Sequence, residues 1–116
     1  MARVLVADND PDALDLAVLD LRLEGHAVAA TADGAAVPAL VDEFGPDVVV
    51  LDYRMPPGPD GLAVAERLRA QRPDLRLVLY TNYSDLELVR RSAELGVHFL
   101  PKGNIRTLRT TVAQRG

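Results

Sequence analysis

The sequence predicts a three-layer α/β fold, in which a doubly wound parallel sheet of five strands carries helices on both faces. Five short apolar runs alternate with amphipathic stretches, and most of the runs are continuous rather than alternating in polarity. Continuous apolar runs are typical of parallel strands covered on both faces. The connections are too long for hairpins, and crossovers between parallel strands are almost always right-handed. The predicted strands are residues 3–7, 26–30, 47–51, 76–80 and 97–100.

The stretches between these runs contain recognisable helix ends. Asp10 followed by Pro11 predicts an N-cap and a first helical residue, and Gly25 predicts the end of that helix. Ser84 and Glu87 have the spacing of a capping box, which predicts the start of the fourth helix. The other helices are expected at about residues 35–44, from Asp60 or Gly61 to before Pro73, and from about Asn104.

Composition and charge exclude several classes of protein. At 116 residues the chain is expected to be one domain with its own core, with no residues left for an output domain. No run approaches the roughly 18 apolar residues of a membrane span, so we expect a cytoplasmic protein. The absence of cysteine excludes disulfides and thiolate metal sites. A net charge of −4 argues against general nucleic-acid binding, although the tail at residues 106–116 is locally basic.

Polar residues follow the predicted strands at their carboxyl ends, where open parallel sheets bind ligands. Clustered carboxylates there would bind a small hard cation such as Mg²⁺. A carboxylate beside that cation can act as a nucleophile toward phosphorus, while a hydroxyl and an ammonium hold the other phosphoryl oxygens. The candidate residues are Asp8 and Asn9 after the first strand, Asp52 after the third, Thr81 after the fourth and Lys102 after the fifth.

Some of these residues also have a possible structural role. Asp10 is better explained as the N-cap of the first helix than as a metal ligand. Asp52 could instead be an ordinary surface acid at a strand end, and Thr81 could simply be a β-forming residue at a strand end. Lys102 is the only lysine beside twelve arginines, and ammonium and guanidinium groups are not interchangeable at a crowded phosphoryl site. His26 and His98 are expected to have packing roles without function. The side chains of Arg67, Arg69 and Arg72 are expected to be solvated.

Four segments resemble, in their order and spacing, the receiver domain of two-component response regulators: VLVADNDPDAL, VVVLDYRMPPGPDGL, LVLYTN and FLPK. The resemblance covers essentially the whole chain and implies a flavodoxin-like fold with strand order 2-1-3-4-5. It also implies a bacterial signalling partner, either a histidine kinase or a phosphotransfer protein, that supplies a phosphoryl group. A downstream protein partner or an output domain would receive the signal, without direct binding of nucleic acid or membrane by this domain.

The resemblance further implies roles for individual residues. Asp52 would be the phosphoacceptor, and Thr81 and Lys102 would assist the transfer. Thr81 and Phe99 would form the switch that alters the face of the fourth helix, fifth strand and fifth helix. That face would bind the downstream partner or a second copy of the chain. The ligands of Mg²⁺ would be Asp8, Asn9, Asp52 and the backbone carbonyl of Arg54.

The chain departs from the family pattern at several positions. Asn9 stands where the acidic pair normally ends in aspartate, so we expect weakened binding of Mg²⁺. Gly103 replaces a proline that often follows the lysine, and Asn82 replaces a small residue beside the switch hydroxyl. The large side chains of Arg54 and Tyr83 flank the expected path of the hydrolytic water, which predicts a slowly hydrolysed phosphoryl group.

Three functions remain open on the sequence alone. The first is a phosphoacceptor switch whose only catalysis is phosphoryl transfer to itself and hydrolysis, so it is not a turnover enzyme. The second is a pseudo-receiver, a protein-binding module that is not phosphorylated, and Asn9 is its main support. The third is an aspartyl-nucleophile phosphatase of the haloacid-dehalogenase type. It is disfavoured because Tyr53 and Arg54 follow Asp52, where those enzymes have a second aspartate two residues on.

Overall fold

The computed structural model describes residues 1–114, so Arg115 and Gly116 of the basic tail lie outside the described residues. The strands are β1 (Arg3–Ala7), β2 (Ala27–Thr31), β3 (Val48–Leu51), β4 (Arg76–Thr81) and β5 (Val97–Pro101). The helices are α1 (Pro11–Leu23), α2 (Val37–Phe44), α3 (Gly61–Gln71), α4 (Leu86–Glu94) and α5 (Ile105–Ala113), and a 3₁₀ turn at Gly34–Ala36 precedes α2. No helix within residues 1–114 is long and apolar enough to cross a membrane.

The five strands form one parallel sheet in the order β2-β1-β3-β4-β5, which confirms the predicted topology. Strand order reverses between β1 and β3, whose last residues Ala7 and Leu51 are paired. Thr81, the last residue of β4, is paired with Pro101 of β5. Residues that follow these strands therefore meet along one edge of the sheet.

Helices cover both faces of the sheet and divide the core into two layers. The central strand β3 is buried along its whole length, as its continuous apolar sequence predicts. One layer packs α1 and α5 against the sheet, with Ala17, Leu21, Leu108 and Val112 among its buried residues. The other layer packs α2, α3 and α4 against the opposite face, with Val37, Val41, Leu62, Leu68 and Leu88 among its buried residues.

The capping box predicted for the fourth helix is wrong by one residue. Asp85, not Ser84, is the N-cap of α4, and its carboxylate accepts a hydrogen bond from the N–H of Leu88 at 2.8 Å. A carboxylate at this position also interacts favourably with the positive end of the helix dipole. Glu87 is then free to pair with Arg90 one turn along the helix instead of reaching back.

The expectation that Arg69 is solvated is also wrong. Its guanidinium lies beside the ends of α3 and α4 and donates to several backbone carbonyl oxygens. Helix ends leave such carbonyls without intrahelical partners, and a planar guanidinium with several donors can satisfy them together. The acceptors are the carbonyl oxygens of Leu95 at 2.8 Å, Gly96 at 3.0 Å, Leu75 at 2.6 Å and Pro73 at 2.9 Å.

Candidate functional site

Asp8 and Asp52 lie side by side because the pairing of β1 with β3 continues for one residue beyond the strands. The N–H of Asp52 donates to the carbonyl oxygen of Ala7 at 2.9 Å. The same pattern on the other side of β1 joins the N–H of Asp8 to the carbonyl oxygen of Thr31 at 3.1 Å. Both aspartates are buried, with exposures of 4 % and 9 %. The structure thus brings together the two acids predicted at this edge.

Lys102 bridges the two acids from the far side of β4. Its N–H donates to the carbonyl oxygen of Thr81 at 2.9 Å, which fixes the backbone after β5 next to β4. Its ammonium Nζ lies 2.6 Å from Oδ2 of Asp8 and 3.1 Å from Oδ2 of Asp52. Removing one partner of such a buried set leaves a charge without compensation, which is strongly destabilising. The single lysine of the chain therefore stabilises the acidic pair.

Electrostatics at the site favour an additional cation. Burial raises the pKa of Asp8, and the charge of Asp52 acts in the same direction, against hydrogen bonds from Lys102 and from the N–H of Asp10. Burial by itself would lower the pKa of Lys102, but its hydrogen bonds to the two acids outweigh burial and raise it. The ammonium therefore keeps its proton at neutral pH, while the carboxylate of Asp8 is held in an unfavourable environment. A cation at this edge would relieve that cost.

An open cleft of about 310 Å³ lies beside Asp52, between the loops that follow β3 and β4. Thr81 is 2 % exposed and presents its side chain to this cleft, and its Oγ1 accepts the N–H of Tyr83 at 3.1 Å. Asn9, Asp52, Arg54 and Thr81, all predicted from the sequence, line this cleft together with Asn82. Asp8 and Lys102 do not line it and connect to it through the contact of Lys102 with Asp52. The residues that line it are Asn9, Asp52, Arg54, Thr81, Asn82 and Tyr83.

The oxygen donors at the cleft fit Mg²⁺, an ion that takes about six oxygens and keeps several as water. The carboxylate of Asp52 and the amide of Asn9 line the cleft, and the carboxylate of Asp8 is joined to Asp52 through Lys102. The carbonyl oxygen of Arg54 accepts no hydrogen bond within residues 1–114, which leaves it available as a fourth donor. Within the same residues there is no group of three acidic or histidine side chains that could hold a metal ion. With asparagine at position 9 the site has two carboxylates, whereas an aspartate there would give it three.

An aromatic pair that sequence analysis missed covers one side of the cleft. The rings of Tyr53 and Tyr83 are stacked, with centroids 5.2 Å apart and planes 22° from parallel. The guanidinium carbon of Arg54 lies 4.5 Å from the centre of the Tyr83 ring. Their positions one residue after Asp52 and two after Thr81 were the available signal, since both loops border the same cleft. The side chain of Arg54 is thus directed across Tyr83.

Similarity to known proteins identifies the family. Residues 4–113 match the family model described as the response regulator receiver domain. This chain belongs to the response-regulator receiver family.

Two curated relatives show how much of each protein the receiver matches. It is 31 % identical over 91 residues to sporulation initiation phosphotransferase F of Bacillus subtilis, and the match covers 77 % of this chain and 73 % of the relative. It is 36 % identical over 108 residues to the probable transcriptional regulatory protein NarL of Mycobacterium tuberculosis, covering 90 % of this chain. The chain spans about half the length of that regulator, 50 %.

Solved structures agree on the fold. The response regulator protein TrrA of Thermotoga maritima, in complex with Mg²⁺ and beryllium fluoride, superposes with a TM-score of 0.85 at 28 % identity, and the match covers 97 % of the receiver and 96 % of TrrA. A CheY-like receiver domain protein of Methanospirillum hungatei superposes with a TM-score of 0.89, covering 97 % of the receiver and 90 % of that chain. Its identity of 24 % supports the shared fold alone.

The predicted switch residues of the receiver lie on the same face of the sheet. Phe99 is paired with Leu79, and Pro101 with Thr81, so Phe99 and Thr81 both belong to the face that α4 covers. Phe99 is half-buried and packs against the core layer of that face. The structure therefore places the two side chains on one face of neighbouring strands, two residues apart in register.

The residue after Lys102, Gly103, has a backbone conformation that proline cannot adopt. Gly103 has a φ of +123°, whereas the proline ring fixes φ near −65°. Space is not the reason for the glycine, since a Cβ atom there would have no neighbour within 4 Å. The glycine is required by the backbone conformation that leads from Lys102 to the N-cap of α5 at Asn104.

A second feature that sequence analysis missed is an apolar stripe on the outer side of α1. Leu16, Leu19 and Leu23 are 55 %, 57 % and 75 % exposed, although they lie on a helix whose inner side is packed. Their spacing of three and four residues was a visible signal, because such residues lie on one face of a helix.

Proposed function

We propose that this receiver domain is a phosphoacceptor switch in which Asp52 takes a phosphoryl group from a histidine kinase or a phosphotransfer protein. One observation carries the proposal. The buried carboxylate of Asp52 borders an open cleft, with the ammonium of Lys102 at 3.1 Å and the hydroxyl of Thr81 lining the same cleft. A nucleophile, a fixed cation and a hydroxyl beside one accessible space are suited to phosphoryl transfer.

The proposed reaction is a transfer between two covalent carriers. A carboxylate oxygen of Asp52 attacks phosphorus, a P–O bond forms, and the P–N bond to the donor histidine breaks with its electron pair returning to the imidazole nitrogen. Lys102, already paired with Asp52, can stay in contact with the phosphoryl oxygens and offset their charge. Apart from this transfer and its own hydrolysis, we propose no turnover of substrate.

Magnesium is the proposed cofactor of this step. Asp8, Asn9, Asp52 and the carbonyl oxygen of Arg54 are the residues that would hold it. When bound, the ion would offset negative charge on the phosphoryl oxygens. The TrrA structure contains Mg²⁺ with beryllium fluoride, which supports the assignment by analogy.

The signal is proposed to leave through the face formed by α4, β5 and α5. A phosphoryl group adds about −1.5 to −2 charge beside the Thr81 hydroxyl, by analogy with other phosphorylated side chains. Thr81 would turn toward that charge, and Phe99 would move into the space behind it. A downstream protein, an output domain or a second copy of the receiver would recognise the altered face. No nucleic acid or membrane is needed as a direct partner.

The leucine stripe on α1 is the proposed docking surface for the phosphoryl donor. Helix α1 begins at the same edge of the sheet as Asp8, because Asp10 is its N-cap and accepts the N–H of Asp12 at 3.1 Å. A phosphoryl donor packed on Leu16, the exposed leucine nearest to the start of α1, would lie toward the edge of the sheet that holds Asp52. Leu23 lies about 20 Å along the helix from Asp10 and would extend the contact away from the cleft.

A phosphorylation assay tests the proposed function against the pseudo-receiver alternative, which Asn9 favours. The protein is incubated with acetyl phosphate and Mg²⁺, and its intact mass is measured over time. We expect a mass gain of one phosphoryl group per chain that requires Mg²⁺. A chain whose mass stays unchanged with acetyl phosphate and with phosphorylated kinase alike would instead be a binding module.

Restoring the missing charge at position 9 is expected to tighten Mg²⁺ binding. Asn9→Asp adds a carboxylate beside Asp8 and Asp52, and its attraction to the ion is only partly cancelled by repulsion among the acids and by desolvation. We expect an increase in affinity of roughly tenfold, or about 1.4 kcal/mol. Calorimetric titration of wild type and variant with Mg²⁺ measures it. Asn82→Asp, on the rim of the same cleft, is the matched control, and equal affinity for Asn9→Asp and wild type contradicts the proposed ligand set.

The side chains of Arg54 and Tyr83 are expected to prolong the phosphorylated state. Arg54 and Tyr83 contact each other and both line the cleft beside Asp52, so we expect them to obstruct the approach of a water to the phosphoryl group. A displacement of the attacking water by about 1 Å can cost on the order of a hundredfold in rate. Arg54→Ala/Tyr83→Ala is expected to hydrolyse at least tenfold faster, measured as loss of phosphorylated mass after removal of the donor. Equal or slower decay in the double variant would show that these side chains do not shield the site.

A further inference from the structure

We propose that the stacked rings of Tyr53 and Tyr83 form a latch that holds the loop between β4 and α4 in its resting position. The proposal rests on the phosphoacceptor function, since the latch opposes a movement that phosphorylation would drive. The two rings belong to the loops on opposite sides of the Asp52 cleft. Their stacking therefore joins the phosphoacceptor side of the cleft to the switch side.

Helix α4 is fixed at its C-terminal end. The guanidinium of Arg69 on α3 donates to the carbonyl oxygens of Leu95 and Gly96, which follow the helix. The same guanidinium donates to Leu75, just before β4. Movement of this end would break several hydrogen bonds at once. A rearrangement of α4 is therefore expected to swing its N-terminal end, with the Arg69 contacts as the pivot.

The N-terminal end of α4 is held more weakly, and the latch is part of what holds it. Residues 82–85 are all exposed, and Leu86 at the start of the helix is 89 % exposed. Two contacts join this loop to the far side of the cleft. The centres of the Tyr53 and Tyr83 rings are 5.2 Å apart in the stack. The guanidinium carbon of Arg54 lies 4.5 Å from the centre of the Tyr83 ring. Loss of the stack would release the loop without disturbing the fixed end.

The Thr81 hydroxyl links the latch to phosphorylation. Its Oγ1 accepts the N–H of Tyr83 at 3.1 Å, so the orientation of this side chain and the position of the Tyr83 backbone depend on each other. When Thr81 turns toward a phosphoryl group on Asp52, the Tyr83 amide loses that acceptor. The exposed loop can then move to a position in which water accepts the hydrogen bond of the Tyr83 N–H in place of Thr81. This movement carries the Tyr83 ring away from Tyr53, so switching and stacking oppose each other. The exposed side chain of Arg54 is flexible enough to follow the Tyr83 ring, so these two side chains still lie beside the cleft.

The size of the effect follows from the stacked rings that make the latch. A stacked aromatic pair corresponds to a change of up to about tenfold in an equilibrium constant. A ligand that binds the switched state is weakened in proportion to the fraction of molecules in that state. Removing the latch is therefore expected to tighten the binding of a phosphoryl mimic by up to about tenfold.

The test titrates the whole ¹⁵N-labelled chain with beryllium fluoride at saturating Mg²⁺ and follows the backbone amide signals by NMR. In Tyr53→Leu we expect binding of beryllium fluoride that is tighter than in wild type by up to about tenfold. Without the probe, the amide signals of Tyr83 and Ser84 should already lie part of the way toward their bound positions. Tyr83→Leu removes the same stack from the other side and is expected to behave alike. Tyr53→Phe keeps the stacked ring and should match wild type.

The outcomes separate the latch from the function on which it rests. Wild-type affinity and wild-type free-state signals in both leucine variants would overturn the latch and leave the phosphoacceptor function standing. A Tyr53→Phe variant that behaves like Tyr53→Leu would also overturn it, because stacking would not be the cause. Absence of beryllium fluoride binding by wild type contradicts the proposed function and the latch together. Should Tyr53→Leu fail to fold, Tyr83→Leu decides, since Tyr83 is 39 % exposed.

Discussion

Replacing Asp52 by asparagine is expected to abolish phosphorylation, from one phosphoryl group per chain to none. The amide has the shape of the carboxylate and can still accept the N–H of Tyr53, which now lies 2.7 Å from Oδ1 of Asp52. It has no anionic oxygen to attack phosphorus, so the nucleophile is lost while the backbone stays in place. Lys102 keeps its 2.6 Å contact with Asp8, so no buried charge is left without a partner.

The measurement is the intact mass after incubation with acetyl phosphate and Mg²⁺. Asp10→Asn is the matched control, because it removes a carboxylate from the same edge of the sheet and asparagine is an equally good N-cap. We expect this control to be phosphorylated like wild type. A phosphoryl group that is still gained by Asp52→Asn would contradict the assignment of Asp52 as the acceptor.

The fold was predictable from the sequence because each of its determinants is local or periodic. The short, β-branched "VVVL" run before Asp52 is typical of a strand buried on both faces, and Asp10-Pro11 marks a helix start on its own. The parallel direction of the strands then follows from connections that are too long for hairpins. The strand ends must meet at one edge in such a sheet, so the positions of Asp8 and Asp52 were predictable too.

The contacts that depend on side-chain direction across distant segments could not be predicted. Nothing in the sequence near Arg69 shows that its guanidinium meets carbonyl groups 26 residues away. The stack of Tyr53 on Tyr83 likewise depends on the spacing of two loops, which no periodicity determines. The N-cap of α4 was missed because Ser84 and Asp85 are both good capping residues and local pattern does not choose between them.

One close contact connects the fold directly to the site. Gly61 begins α3, and its N–H donates to the carbonyl oxygen of Tyr53 at 2.7 Å. A Cβ atom on Gly61 would lie 2.0 Å from the carbonyl oxygen of Asp52 and 2.9 Å from its carbonyl carbon. Both atoms are backbone, so no side-chain rotation can make room. The start of α3 can pack against Asp52 only because the residue there has no side chain.

Gly61→Ala is therefore expected to destabilise the fold and to displace Asp52. Alanine favours a helix by about 1 kcal/mol over glycine, but overpacking against fixed backbone costs about 3 kcal/mol or more, so the loss is expected to dominate. Because a shift of about 1 Å can cost on the order of a hundredfold, phosphorylation should slow sharply. The urea midpoint and the rate of mass gain from acetyl phosphate measure the two effects. Gly58→Ala, in the loop that precedes α3, is the control. Its Cβ would meet Oδ1 of Asp33 at 2.8 Å, a side-chain atom that can rotate away. Rotation gives up the hydrogen bond that Oδ1 accepts from the N–H of Ala35, so a smaller loss of about 1 kcal/mol is expected. Equal stability of Gly61→Ala and Gly58→Ala would show that α3 can shift without cost, and that this contact does not position Asp52.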